Sequence, residues 1–131
     1  LQGDAPPDRR FEQFIDWFTR LIFEDPIFSR LLTRELLDGD SKRLEYLSKT
    51  VFDRPFSLLT KTIVDWTGQA EPALSALSIV AMILGHYQMA EALPYLSGGR
   101  AEHGDVDILI RHFTAILGRA LKPAGAGDRV T

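Results

Sequence analysis

The sequence has no cysteine, and that absence excludes a disulfide framework, a thiolate zinc site and a thiol nucleophile together. Charge of one sign is lacking as well: 15 Lys and Arg stand against 18 Asp and Glu, interspersed along the chain, for a net charge of −3. Such a balance is a poor footprint for holding nucleic acid. Strand-like alternation, internal repeats, low-complexity tracts and a Gly-rich phosphate loop are also missing, since Gly98-Gly99 stands alone without a strand before it. Leu1 to Arg10 is polar and contains Pro, with no apolar core of a signal peptide, so the cytoplasm is the default location. The first residue is Leu and not Met, which reads as a fragment or a processed product.

What remains is a chain of 131 residues, 45% of them hydrophobic, enough for one domain with a single core. Phe11, Phe14, Ile15, Phe18, Leu21 and Ile22 recur at helical spacing, with Glu12, Gln13, Asp16 and Thr19 opposite, and predict a helix over Asp8 to Glu24. Asp25-Pro26 ends it and starts a second, because a residue before Pro leaves the α region and Pro suits a first helical position. That helix carries Ile27, Phe28, Leu31, Leu32 and Leu36 and stops at Asp38-Gly39-Asp40, with Gly39 expected in the left-handed conformation. Asp40 or Ser41 caps a third helix through Leu44, Leu47, Val51 and Phe52, which Pro55 kinks or breaks before Phe56, Leu59, Ile63 and Trp66 continue the spacing to Gly68. Glu71-Pro72 opens an apolar helix reaching about Leu93, and Asp105 caps a last helix with Val106, Leu109, Ile110, Phe113, Ile116, Leu117 and Leu121 on one face. The expectation is an all-α bundle of about six helices over residues 1–121, followed by a flexible tail, 122–131.

The Ala73 to Ala90 segment is apolar nearly all round, and a helix of that kind must be buried on several sides. It is either the central helix of the bundle or shared with a second chain. Because it contains Ser75, Ser78, His86 and Gln88 and is bounded by Glu71 and Glu91, it reads as a soluble helix and not a membrane span. Ala115, Gly118 and Ala120 let another helix approach the last one closely, and the two helices together form a credible isologous dimer surface.

Aromatic residues gather in the first half. They fill a core as readily as they line a pocket, and Trp17, at the margin of its stripe, is the better pocket candidate. Of the three histidines, His103 sits in a polar loop and reads as solvated, and His112 flanks the last stripe. His86 lies in the most apolar helix and needs a partner across a seam, in a pocket or through water. No His pair has close helical spacing for a metal, and no Ser, Thr or acidic residue stands in a catalytic motif, so neither cofactor nor enzymatic activity is expected.

The chain resembles the C-terminal domain of the TetR family of bacterial transcription regulators over about residues 10 to 121. The residues that carry the resemblance are Glu24-Asp25-Pro26-Ile27-Phe28-Ser29-Arg30-Leu31-Leu32, Arg34-Glu35-Leu36, Arg43-Leu44-Glu45-Tyr46-Leu47, Val51-Phe52-Asp53-Arg54-Pro55-Phe56 and Glu71-Pro72-Ala73-Leu74-Ser75-Ala76-Leu77-Ser78. The family's N-terminal helix-turn-helix is not in this sequence, so DNA would be reached only through a missing N-terminal part. The resemblance implies a homodimer whose last two helices pair through Ile79, Ile83, His86, Tyr87, His112, Ala115, Ile116 and Arg119. It also implies a pocket for a small apolar or amphipathic effector, with Trp17, Phe18, Phe52, Phe56 and Met82 as its lining, in a domain that serves a regulator, usually a repressor. The rival reading from the residues is a helical protein-interaction module with no small-molecule ligand, and a third is a helical enzyme or metal-binding bundle.

Overall fold

Helix α1, Pro7–Glu24, begins with Pro in its first turn, where no backbone donor is needed, and turns a continuous apolar stripe inward. The computed structural model describes residues 4–121; the expected tail, 122–131, lies outside the described residues. Asp25 then caps α2, Pro26–Asp38, its carboxylate accepting the Phe28 N–H at 3.0 Å. Asp40 does the same for α3, Ser41–Leu47, accepting from the Arg43 N–H at 2.8 Å.

Between α3 and α4, Asp53–Thr67, the backbone loosens into a π-helical turn over Ser48–Phe52. Pro55 thereby falls in the first turn of α4, where its missing donor costs nothing. Gly68 closes α4 in the left-handed conformation, with φ of 70°. Helix α5 follows over Pro72–Met89; 3-10 segments at Ala90–Tyr95 and Ala101–Gly104 connect it to α6, Val106–Ala120, whose N-cap is Asp105. The described residues are all-helical, without strands.

Helix α1 is the hub, packed against α4, α6, α2 and α5. The Phe11–Trp66 ring contact at 5.2 Å joins the start of α1 to the end of α4 and makes them antiparallel; Phe23–Tyr87 at 5.6 Å joins the ends of α1 and α5 and makes those parallel. Arg20 near the end of α1 meets Asp107 near the start of α6 at 2.8 Å, so α6 also runs antiparallel to α1. The core consists of Phe11, Phe14, Ile15, Phe18 and Ile22 from α1 against Leu59 and Ile63, Ile79 and Ile83, and Leu109, Phe113 and Leu117. Burial of each such side chain contributes about 1.5–3 kcal/mol. Arg10 is buried with them and tied down by the Ala5 carbonyl at 3.0 Å and by Asp65 of α4 at 2.9 Å.

Several expectations change, among them the α2 stripe, of which Ile27, Leu31 and Leu36 are exposed. Thr19, assigned to the polar side of α1, is fully buried, because α1 is enclosed by helices on more than one side. Gly39 is extended (φ −67°) and not left-handed; glycine is required there because a Cβ would strike the Glu35 carbonyl. The apolar helix ends as α-helix at Met89, with Pro94 accommodated in the 3-10 segment after it. Most consequentially, α5 is not the central helix of the bundle: within the chain it packs on α4 and α1, and only Ala76, Ile79 and Ile83 are buried.

Candidate functional site

Helices α5 and α6 both lean on α1 and make little backbone contact with each other. The gap between them is an open cleft of about 960 Å³, closed at one end by the connection between the two helices. That volume lies near the top of the range of about 300–1,000 Å³ usual for small-molecule sites. Phe23, at the end of α1, contributes to the lining; Met82, Gly85 and Met89 come from α5, and Ile108 and Leu109 from α6. Leu93 and Leu96 of the connecting segment complete an apolar wall.

All three histidines of the chain line this cleft, His86 from α5, His103 from the second 3-10 segment and His112 from α6. The His86 and His112 ring centroids are 6.0 Å apart, and the His86 ring stands edge-on to Phe113 at 4.8 Å. Loss of solvation first, and the neighbouring His112 second, hold the His86 imidazole below its ordinary range, so both causes favour its neutral form. The Arg100 N–H donates to His103 Nδ1 at 3.1 Å, which places the proton of a neutral His103 on Nε2. No Asp, Glu, Lys or Arg is in the lining. Among the described residues there is no cluster of three or more side chains arranged to hold a metal ion.

Of the expected pocket residues, only Met82 reaches the cleft. Phe18 is core, and Trp17 is 42% exposed on the outside of α1, packed against Phe14 and Phe18. Phe56 and Phe52 pack at the margin of the core, Phe52 against Phe28 at 6.4 Å. These rings fill space around the hub helix. Of the expected dimer residues, Ile79 and Ile83 are buried within the chain and cannot meet a partner. Tyr87 is half-buried against Phe23. His86, His112, Ala115, Ile116 and Arg119 are exposed.

Beside the cleft, α5 presents Leu74, 62% exposed, and Leu77, 56% exposed. One turn separates Leu77 from Ala81, and one turn separates Ile116 from His112, so the exposed surface continues the two walls of the cleft. By length and composition, the helix Pro72–Tyr95 is long and apolar enough to cross a membrane, with 17% of its most apolar window buried. A second, flatter hollow of about 540 Å³ between α1 and α6 is edged by Arg9, Glu12, Asp16 and Arg111, as expected of a solvated helix junction. Comparison of this chain with known protein families, with characterised proteins and with solved structures finds no match.

Proposed function

We propose that this chain is the effector-sensing and dimerising domain of a TetR-type transcription regulator, with the cleft between α5 and α6 as its effector site and the adjoining apolar surface as its self-association face. The observation that carries the reading is α5: eighteen residues without a single charged side chain, of which three are buried. Exposed apolar surface of this extent marks an interaction site. A second copy seated on Leu74, Leu77, Ala115 and Ile116 would cover it, as isologous pairing in homodimers does. DNA is reached in this reading through an N-terminal part outside this sequence.

A small amphipathic molecule between α5 and α6 would spread or clamp the two helices that carry the self-association face. Binding one spacing better than another shifts the population of dimer geometries, and with it the separation of attached DNA-reading heads. The test is a thermal-shift series with amphipathic compounds on the dimeric protein. A rise in melting temperature that depends on ligand concentration is expected; no response to any compound contradicts an effector site.

One observation favours a second reading. The cleft opens along its side and joins the exposed face of α5 without a break, which also suits an amphipathic helix of another protein laid into the groove. A chain that is monomeric alone and insensitive to small molecules would favour that account.

A further inference from the structure

The ionisable groups that line the cleft are imidazoles alone, and from His86 toward the connecting segment the lining is aliphatic, with Met89, Leu93, Leu96 and Ile108. This combination narrows the chemistry of an occupant. Two imidazoles with centroids 6.0 Å apart repel when both are protonated, and no carboxylate in the lining relieves the repulsion. An anion between them would do so, accepting an N–H from each ring in charge-assisted hydrogen bonds of about 2.7–2.9 Å. The aliphatic wall, for its part, offers nothing to a polar ligand and stabilises a hydrocarbon one.

We propose that the cleft binds an aliphatic monocarboxylate, its head between His86 and His112 and its tail along Met89, Leu93 and Ile108. The inference rests on the cleft being an effector site and adds the ligand's class. His103, with its proton fixed on Nε2 by the Arg100 N–H, supplies a further donor in the lining. A phosphate monoester is a poorer match, because its second negative charge at neutral pH asks for a guanidinium or ammonium, and none is present in the lining.

The surroundings set the sign of the pH dependence. His86 faces His112 and Phe113 from α6, and the lining of the cleft it shares adds His103 from the 3-10 segment and Phe23 from α1. The charged groups on the same elements, Glu91, Arg111, Glu102 with its Arg100 partner, and Arg20 with Glu24 and Asp107, all lie outside the cleft lining. Desolvation first and His112 second disfavour the charged His86 ring, whereas a carboxylate beside it favours that form, so binding takes up a proton. Affinity therefore rises as pH falls from about 8 to about 6, a window in which a carboxylic acid with a pKa of about 4 to 5 stays ionised.

Titration calorimetry with decanoate and decanol, below their aggregation concentrations, at pH 6, 7 and 8 tests this on the parent chain and on the His86→Gln, His112→Gln double variant. Decanoate is expected to bind the parent at least about fivefold more tightly at pH 6 than at pH 8. Decanol is expected to bind more weakly and without pH dependence. The double variant, whose substituted side chains are exposed, should keep its melting temperature and lose the preference for decanoate. Proton NMR titration of the imidazoles in the parent gives a readout that needs no variant: at least two should titrate at higher pH once decanoate is present. If decanol binds the parent as well as decanoate does, with no pH dependence, the cleft is an effector site but not a carboxylate site. If neither binds, the aliphatic carboxylate proposal falls, and the thermal-shift series decides the effector reading separately. Zinc ion titrated alone should give no heat that depends on the histidines; tight zinc binding lost in the double variant would make the cluster a metal site and overturn the proposal.

Discussion

Helices α1 and α5 are both eighteen residues long, and the less apolar of the two is the more deeply buried. Helix α1 carries Asp, Glu and Arg on its outer face and buries seven residues; α5 carries no charge and buries three. Burial here is set by the number of neighbours a helix has and not by how apolar it is. Four helices pack around α1, whereas α5 has α4 and α1 on one side and solvent on the other. The surplus apolar surface on α5 exceeds what this chain covers by itself, and that surplus is the basis of the functional reading.

Substitutions can break the comparison at either helix. The largest effect is expected from Ile83→Glu, which puts a charge into the buried strip of α5 and should unfold the chain, at a cost above about 4 kcal/mol by chemical denaturation. Phe18→Ala on α1 should cost about 3–5 kcal/mol in the same assay, the range for emptying a core site of that size. Thr19→Val runs the other way. The Thr19 hydroxyl is buried with no hydrogen-bond partner among the described residues, so an isosteric apolar side chain should stabilise the fold by about 1 kcal/mol.

A smaller effect tests how α1 is fastened to α4. The Arg10 guanidinium first, and Lys61 second, hold the Asp65 carboxyl below its ordinary value. A carboxyl with a lowered folded-state pKa adds stability that is present above its unfolded pKa, near 4, and is lost as pH falls through the folded value. Asp65→Asn should therefore be less stable than the parent at pH 6, and the gap in urea midpoint should close as the pH approaches 3.

The same contrast explains what could be read from the sequence. Local signals were legible: Asp25, Asp40 and Asp105 each cap the helix that their position suggested, most of the α1 stripe is buried, and so are Leu109, Phe113, Leu117 and Leu121 of the last stripe, while Ile116 is exposed. Capping and periodicity are decided within one or two turns of chain. The cleft is not local. It exists because α5 and α6 lean on α1 without closing on each other, and nothing in the spacing of His86, His103 and His112 announces that all three line one cleft. Aromatic content pointed instead to Trp17, and the family resemblance to Phe18, Phe52 and Phe56 beside it, large apolar rings that a core uses as well as a pocket does. The Pro55 break was visible, but the π-helical turn that absorbs it was not, since it depends on how α3 meets α4.

The solution mass of the parent chain and of a Leu77→Glu variant, by light scattering, tests most directly whether the exposed face of α5 is covered by a second copy. Leu77 is the suitable position because it is exposed, whereas a charge at buried Ile83 would test the fold. The account predicts a dimeric parent and a monomeric variant that remains fully helical. A monomeric parent, or a variant that stays dimeric, would contradict it.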